Sequence, residues 1–312
     1  MIAVIVPIYN TEKYLRETID SVICQTLSFA EHIRLILLDD ASTDGSFAIC
    51  EQYQKQYPKQ ILVKHYDTNQ GVSALRNEGV RIAGEMGDEL ITFLDSDDKL
   101  ADDAMEKTVQ YFDAHEDVFV AAIGIRYFDA YEGEQRLNWR FEKTDVVDIK
   151  KDYTYPHYYV GGVFLRHAVL DELHFDESLS FWEDALAVNQ VIVSQGKYGL
   201  IAGTHYYYRK REDESSLVDT AWHKKERYTT LLSSGYGQLF AYSRKKHHRI
   251  IPYVQYMVAY HMRLMMMKSK QRIIEEILSE EELAALRDDV QKVLKKIKVK
   301  YILQIPTSLP II

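Results

Sequence analysis

Apolar runs alternate with helix-like segments along the first hundred residues of the chain. The apolar runs that predict buried strands are Ile2–Ile8, Ile33–Leu38, Ile61–His65 and Leu90–Leu94. Between the first two runs, Leu15, Ile19 and Val22 recur on one face of a predicted helix. Strands that lie about 30 residues apart and are separated by helices are typical of a doubly wound, mostly parallel α/β sheet.

The pattern changes in the second half of the chain. Further strands are predicted at 118–127, 137–141, 161–165 and 199–208, and helices at 103–115, 167–173 and 181–194. Beyond residue 217 the pattern predicts only helices, near 222–245, 250–268 and 279–298. We therefore predict an α/β domain over residues 1–217, with halves 1–100 and 101–217, and a helical extension over 218–312.

Polar residues collect where the predicted strands end. Asn10 follows the first strand, Asp39 and Asp40 the second, and the stretch 95–98 the fourth. The carboxyl ends of parallel strands meet at one edge of a sheet, and ligands bind beyond that edge. The sequence therefore predicts a ligand site there.

Three carboxylates fall within four residues, at Asp95, Asp97 and Asp98. At the end of a buried strand such a group suffers mutual repulsion and a desolvation cost. A divalent cation with oxygen ligands would offset both. The alternative is a solvated acidic turn that precedes the next helix.

The composition excludes several function classes. The 312 residues are 46% hydrophobic and carry a formal net charge of −9, which argues against generic nucleic-acid binding. Cys24 and Cys50 form no metal motif and are interpreted as two reduced thiols. Neither a signal peptide nor an apolar run of membrane-spanning length is visible, so we expect a cytoplasmic protein.

Taken in order, several segments resemble family 2 glycosyltransferases of the GT-A fold. They are Val4–Asn10, Leu38–Ser46, Gly71–Asn77, Phe93–Asp98, Trp182–Asp184 and the strand with Tyr206, Tyr208 and Arg209. The resemblance covers roughly residues 1–217. It implies metal-dependent, inverting transfer of a sugar from a nucleotide-diphosphate donor, with UDP expected as the nucleotide. It also implies a glycan or lipid-linked acceptor, a role in bacterial cell-surface polysaccharide synthesis, and Mn²⁺ or Mg²⁺ as the cofactor.

The resemblance also implies a set of site residues. Those assigned to the nucleotide sugar are Pro7, Tyr9, Asn10, Asp39, Asp40, Arg76, Asp95, Ser96, Asp97 and Arg209. Asp40 resembles the carboxylate that accepts a hydrogen bond from the base. Asp97 and Asp98 are the expected metal contacts, with their individual roles open. Asp184 resembles the general base, and Glu183 is the alternative.

Other interpretations of these residues stay open. Asp39 and Asp40 form a pair typical of turns, and Arg76 has Asp44 and Glu78 as possible partners. Arg209 or Arg211 closes over the diphosphate or pairs instead with Glu212 or Asp213. His205 is either a metal ligand or structural.

Two competing functions remain at this point. A sugar-phosphate nucleotidyltransferase would need a glycine-rich loop after the first strand, where this chain has Pro7-Ile8-Tyr9-Asn10-Thr11. A non-catalytic nucleotide-sugar-binding subunit would not need Asp184. The Gln-x-x-Arg-Trp motif of processive family members is absent after Asp184, which favours addition of a single sugar. The lysine-rich stretch 292–300 contacts either an anionic membrane surface at the inner face or another surface of the protein, including a second copy.

Overall fold

The computed structural model describes residues 1–212, 221–265 and 267–306. The chain forms two compact units, described here separately. The first unit comprises Met1–Val146, Tyr159–Glu177 and Lys197–Glu212, and the second comprises Val147–Tyr158, Ser178–Gly196 and Asp213–Ile312. The predicted boundary at residue 217 lies outside the described residues and stays a prediction.

The first unit is built on a curled, mostly parallel sheet. Its strands are β1 (Ile2–Ile8), β2 (Ile33–Asp39), β3 (Ile61–His65), β4 (Leu90–Phe93), β5 (Lys99–Leu100), β6 (Val120–Asp129), β7 (Gly133–Glu134), β9 (Val163–Arg166) and β10 (Lys197–Lys210), while the short strand β8 (Val146–Asp148) begins at the end of this unit. The strand order is β3-β2-β1-β4-β9-β6-β10-β5, with β7 beside β6. Among these strands, β5, β7 and β9 run antiparallel to their neighbours.

The central strand follows directly from its sequence. All seven residues of β1 are buried, and the strand pairs in parallel with β2 on one side and β4 on the other. A strand that is covered on both faces needs apolar side chains at every position. The parallel register brings the carboxyl ends of β1, β2 and β4 to one edge, as predicted from the spacing.

Helices cover the sheet of the first unit. They are α1 (Leu15–Ile23), α2 (Phe29–His32), α3 (Ser46–Gln56), α4 (Val72–Glu85) and α5 (Ala104–Ala114), with 3₁₀ segments at Arg136–Glu142 and His167–Glu172. On α1, Leu15, Ile19 and Val22 are buried, as their spacing predicts. Gly79 on α4 lies against Ile5 so closely that a Cβ would clash. That glycine therefore lets α4 approach β1.

One predicted strand is wrong. Residues 137–141 lie in the 3₁₀ segment Arg136–Glu142 rather than in a returning strand. The side chain of Asn138 accepts a hydrogen bond from the backbone nitrogen of Ile125 (3.2 Å) and donates to its carbonyl oxygen (2.8 Å). Asn138 thus offers β6 the hydrogen bonds that a neighbouring strand would have made.

The second unit is helical. Its helices are α6 (Glu183–Gln195), α7 (Glu226–Thr229), α8 (Tyr236–His247), α9 (Pro252–Met265), α10 (Lys268–Ile277), α11 (Glu280–Leu294) and α12 (Val299–Ile302), with a π segment at Leu231–Gly235. Helix α9 is buried on most of its surface, and Met257, Met262 and Met265 pack inside, as expected of gap-filling methionines. Met266 lies outside the described residues.

Buried polar contacts fix the packing of α6 in this unit. Asn189 is fully buried and donates to the carbonyl oxygens of His157 (2.8 Å) and Ala185 (2.7 Å). It accepts a hydrogen bond from the hydroxyl of Tyr253 (2.8 Å). A buried side-chain amide with these partners ties α6 to α9. Over the described residues, no helix combines the length and the apolar character needed to cross a membrane.

Candidate active site

The end of β2 carries two buried carboxylates with different partners. Asp39 Oδ2 lies 2.7 Å from His65 Nδ1, and Asp39 Oδ1 is buried without a hydrogen-bond partner among the described residues. Asp40 accepts hydrogen bonds from the backbone nitrogens of Gln70 (2.6 Å) and Gly71 (2.9 Å). Asp40 therefore anchors the loop that leads into α4.

The loop after β1 is tied to the loop after β2. Asn10 accepts a hydrogen bond from the backbone nitrogen of Thr43 (2.8 Å), and its own backbone nitrogen donates to Ser42 Oγ (3.0 Å). Asn10 and Ala41 both adopt positive φ, at 52° and 61°. A non-glycine residue in this region costs on the order of 1–3 kcal/mol and is concentrated at functional sites. The two strand ends are thus held in a strained, defined shape.

Two further predicted nucleoside contacts sit on this edge. Pro7 is buried within β1, in register with Leu38 of β2. Tyr9 is 51% exposed directly after the strand. The exposed ring of Tyr9 is available to a ligand, whereas Pro7 contributes through the shape of the strand end.

The acidic stretch after β4 is held by the last strand of the unit. The Tyr206 hydroxyl donates to Asp98 Oδ2 (2.7 Å) and accepts from the backbone nitrogen of Asp95 (3.1 Å). The backbone nitrogen of Arg209 donates to Asp98 Oδ1 (2.7 Å). Both oxygens of Asp98 are therefore used to join the acidic stretch to β10.

Burial raises the pKa of two of these acids. Burial, reinforced by the charges of Asp97 and Asp95, raises the pKa of Asp98 well above its ordinary value. Burial also raises the pKa of Asp97, although Arg211 acts in the opposite direction. The neighbouring carboxylates thus make ionisation of Asp97 and Asp98 less favourable, as the sequence suggested.

Arginines surround the acidic stretch. Arg76 on α4 is buried and contacts Asp95 Oδ1 (3.1 Å). Arg211 donates through Nε to Asp97 Oδ2 (3.0 Å). Asp213, one of the alternative partners considered for these arginines, lies outside the described residues.

The side chain of Arg209 is held by ion pairs and hydrogen bonds within the protein. Its guanidinium contacts Glu17 and Asp129 (2.9 Å), and its Nε donates to the carbonyl oxygen of Asp97 (2.7 Å). Only 7% of Arg209 is exposed. Glu17 and Asp129 were not identified from the sequence, because nothing local to them signals a partner on β10.

The remaining predicted residues of this unit have simpler surroundings. Ser96 is buried, and its carbonyl oxygen accepts a hydrogen bond from Thr18 Oγ1 (3.0 Å). His205 Nε2 lies 3.7 Å from Glu134. Among the described residues, no three His, Cys, Asp or Glu side chains form a group that could hold a metal ion by themselves.

The donor chemistry nevertheless fits a hard cation that is shared with a substrate. Mg²⁺ and similar ions are commonly held by one or two carboxylates, with substrate phosphates and waters as the other ligands. Asp95 and Asp97 supply two such carboxylates on one short stretch, whereas both oxygens of Asp98 already accept protein hydrogen bonds.

Asp184 belongs to the second unit, at the start of α6. Trp182 precedes the helix with φ 73°, and Glu183 and Asp184 form its first turn. Asp184 is half-buried and accepts a hydrogen bond from the backbone nitrogen of Ala185 (2.6 Å). A large side chain at positive φ is a true outlier and indicates a constrained turn.

An aromatic cluster supports that turn. The Trp182 ring packs edge-on to Tyr236, with centroids 5.0 Å apart, and the Tyr236 hydroxyl lies 2.5 Å from His261 Nδ1. Burial lowers the pKa of His261 to about 3, so this imidazole is neutral at neutral pH. The guanidinium of Arg227 lies 3.7 Å from the Phe181 ring centroid. Tertiary contacts, with no local sequence signal, assemble this cluster.

Comparison with known proteins gives the family. The model of glycosyl transferase family 2 matches residues 3–174. The chain is 40% identical over 304 residues to the minor teichoic acid biosynthesis protein GgaA of Bacillus subtilis, covering 97% of this chain and 68% of that protein. It is 36% identical over 260 residues to GgaB of the same organism, covering 82% of this chain but 28% of that protein.

A solved structure shares the fold. Residues 1–349 of S. aureus TarS, in complex with UDP-GlcNAc, superpose with a TM-score of 0.75 at 19% identity, over 97% of this chain and 83% of that chain. The predicted α/β class with C-terminal helices is therefore confirmed. The family match and the GgaA match identify this chain as a glycosyltransferase enzyme that belongs to family 2.

Proposed function

We propose that the enzyme transfers a single sugar, with inversion, from a UDP-sugar to a hydroxyl of a teichoic-acid-type polymer. Such a polymer joins polyols through phosphodiesters and carries hydroxyls that accept sugars. The relatives GgaA and GgaB are named for minor teichoic acid biosynthesis, and the TarS structure contains UDP-GlcNAc. These names support the acceptor class and the donor nucleotide. We place the reaction in the cytoplasm.

The observation that carries the proposal is the acidic stretch at the edge of the sheet. Asp95, Asp97 and Asp98 follow β4, and β10 fixes them through Tyr206 and Arg209. A rigid, acid-rich edge beyond parallel strands suits a nucleotide diphosphate with a cation. A polar surface without function would not need three carboxylates within four residues, one of them buried and one half-buried.

For the cation we assign Asp95 and Asp97 as the protein ligands, with Mn²⁺ or Mg²⁺ as the ion. When bound there, such a cation would offset the negative charge of the diphosphate and so stabilise it as a leaving group. Asp98 instead positions the stretch, since its two oxygens accept from Tyr206 and Arg209. This differs from the assignment by resemblance, in which Asp97 and Asp98 shared the metal.

For the nucleoside we assign the edge formed by β1 and β2. Asp40 and the loop that it anchors border the base, Asn10 and Asp39 hold the neighbouring strand ends, and Tyr9 presents an exposed ring. Arg76 and Ser96 lie beside the acidic stretch, where the diphosphate is expected.

For the chemical step we assign Asp184 as the general base. It removes the proton from the acceptor hydroxyl while that oxygen attacks the anomeric carbon and the carbon–oxygen bond to UDP breaks. A single displacement of this kind inverts the anomeric configuration. A half-buried carboxylate in a constrained turn suits a base that must be held in position. We assign Arg211 to the diphosphate, because the guanidinium of Arg209 already contacts Glu17 and Asp129.

The test is a panel of UDP- and GDP-sugars, incubated with a synthetic ribitol phosphate or glycerol phosphate oligomer and with Mn²⁺ or Mg²⁺. We expect one UDP-sugar to give nucleoside diphosphate and glycosylated oligomer in equal amounts. Transfer only to acceptors that lack phosphate would overturn the acceptor class. Release of pyrophosphate from a nucleoside triphosphate and a sugar phosphate would instead indicate a nucleotidyltransferase.

A further inference from the structure

A basic cleft lies in the second unit, among its C-terminal helices. The cleft has a volume of about 380 Å³, within the range of ligand pockets. Five of the residues that line it are cationic: Arg244, Arg249, Lys295, Lys296 and Lys298. Within the part of the chain that the structure describes, no carboxylate lines the cleft. This concentration of positive charge occurs in a chain whose net charge is −9.

These five side chains are exposed, and none of them forms an ion pair with a carboxylate of the described residues. Two nearby lysines outside the cleft have polar partners. Lys292 pairs with Asp289 at 2.8 Å, and Lys246 donates to Ser194 Oγ at 2.8 Å. Five like charges around one cavity repel one another unless an anion offsets them. A bound anion would therefore reduce the repulsion among the five cations.

Helix ends account for only part of this charge. Arg244 lies in the last turn of α8, and Lys295 follows the last residue of α11, where cations offset the negative end of a helix dipole. Arg249 and Lys298 lie beyond those helices, and the dipole effect falls off within the last turn. In addition, Pro252 at the start of α9 lines the cleft, so the positive end of a 14-residue helix adds to the field.

The walls of the cleft are fixed in advance. Gln255 is 4% exposed, and its Nε2 donates to the carbonyl oxygen of Ile250 (2.7 Å). Its Oε1 accepts from the backbone nitrogen of Lys298 (2.9 Å). One buried amide thus joins the segment after α8 to the segment before α12. The backbone segments that carry Arg249 and Lys298 are therefore in place before a ligand binds, which lowers the entropy lost on binding.

We propose that this cleft binds the phosphodiester backbone of the acceptor polymer. Lysine and arginine suit phosphate oxygens, and arginine binds them through two parallel hydrogen bonds. Several unpaired cations around one cavity match a chain of repeated phosphates better than they match a single neutral sugar. The assignment of the acceptor rests on the proposed function, whereas the anion chemistry rests on the cleft alone.

A membrane surface fits the cleft less well. Of the apolar residues that line it, Ile297 and Tyr301 are buried, at 6% and 5% exposure, and Ile250 and Pro252 are half-buried, so the lining has little apolar surface to insert among lipids. The exposed apolar residues of this region, Val299 and Leu303, do not line the cleft. Interfacial binding would need apolar area and basic charge on the same face.

The test compares two double variants of equal charge. Arg249→Gln with Lys298→Gln removes two cations from the cleft, while Lys245→Gln with Lys300→Gln removes two exposed neighbours that do not line it. A ribitol phosphate oligomer is titrated onto each protein without donor, and UDP is titrated separately. Thermal unfolding checks that each variant is folded.

We expect the cleft variant to bind the oligomer about five- to thirtyfold more weakly, with UDP affinity unchanged, and the control variant to change little. KM for the oligomer should rise by a similar factor, and added salt should reduce the difference. Equal losses in both variants, or none, would overturn the proposal. Loss of binding to phosphatidylglycerol vesicles with oligomer binding intact would assign the cleft to a membrane.

The two proposals fail in different ways. If wild-type enzyme binds the oligomer through the cleft but transfers no sugar to it, the acceptor of the proposed function is wrong and the phosphate site stands. If it glycosylates the oligomer and the cleft variant keeps the wild-type KM, the function stands and the cleft assignment is wrong.

Discussion

The acidic edge of the first unit and the basic cleft of the second arrange charge in opposite ways. At the edge, the half-buried Asp97 accepts a hydrogen bond from Arg211, and the buried Asp98 accepts one from the backbone nitrogen of Arg209. In the cleft, five exposed cations line one cavity without a carboxylate. The carboxylates of the edge thus have hydrogen-bond donors within the protein, whereas the partner that we propose for the cations of the cleft is a ligand.

This difference separates two tasks of a transferase. A site that positions a diphosphate during reaction must be rigid before the substrate arrives, because reorganisation during the step would cost rate. A site that holds one part of a long polymer needs attraction without a fixed register, and exposed cations provide this at little cost. We therefore expect variants at the edge to change donor binding, and variants in the cleft to change acceptor binding.

The largest expected effect concerns neither cluster of charge but the proposed base. Asp184→Asn keeps the size of the side chain and removes the proton acceptor, so kcat should fall about a hundred- to ten-thousandfold. UDP affinity should change by less than about threefold, under about 1 kcal/mol. The measurement is kcat at saturating donor and acceptor, beside a titration with UDP. Glu183→Gln is the matched control, and a variant Asp184→Asn that keeps wild-type kcat would move the base to another residue.

The next effect tests the acidic edge. Asp97→Asn removes one of the two proposed cation ligands, so UDP should bind about ten- to a hundredfold more weakly in the presence of Mn²⁺. Chelation of divalent ions should weaken UDP binding to wild-type enzyme by a comparable factor. Asp117→Asn, an exposed aspartate that pairs with Lys197, serves as the control. Calorimetry that gives the same UDP affinity with and without the cation would contradict the metal assignment.

The smallest effect examines a paired carboxylate of the first unit. Glu78 accepts hydrogen bonds from Arg81 and Lys64, and these interactions lower the pKa of Glu78 from 4.5 to about 2. The stabilisation is therefore fully present above about pH 4.5 and is lost as the pH falls towards 2. Glu78→Gln should lower the free energy of unfolding by about 1 kcal/mol at pH 7, after allowance for solvent screening.

The measurement is denaturant unfolding of both proteins at pH 7 and at several values below 4.5. The gap between wild type and Glu78→Gln should close at low pH, because protonated Glu78 no longer attracts its partners. Glu85→Gln is the control, since Glu85 is 64% exposed and pairs with the same Arg81. A gap that is independent of pH would show that Glu78 acts through packing rather than charge.

Much of the first unit was predictable from its sequence, for identifiable reasons. The strand β1 is apolar at every position, so its buried, central place follows from composition alone. The helix faces and the positions of Asp39, Asp40 and Asp95 followed from local periodicity. The strand predicted at 137–141 was wrong. The side chain of Asn138 hydrogen-bonds to the backbone of β6 there, and local propensity does not predict such a contact.

The partners of the charged residues were less predictable. Arg76 was predicted to lie near the donor, with Asp44 and Glu78 as alternative partners, and it contacts Asp95, 19 residues away. Arg209 was assigned to a ligand, yet it contacts Glu17, 192 residues away along the chain. Long side chains reach whichever opposite charge the fold brings near them, and sequence distance carries no information about that choice.

The sequence by itself determined the alternation of strands and helices, the family, and the place of the acids at the strand ends, because each depends on local pattern. Only the tertiary structure decided which charges are satisfied. In the folded chain both oxygens of Asp98 accept hydrogen bonds, one from Tyr206 and one from the backbone of Arg209. Folding also brings Arg249 and Lys298 to one cleft. These outcomes depend on contacts between distant segments, and burial fixes those contacts only once the chain has packed.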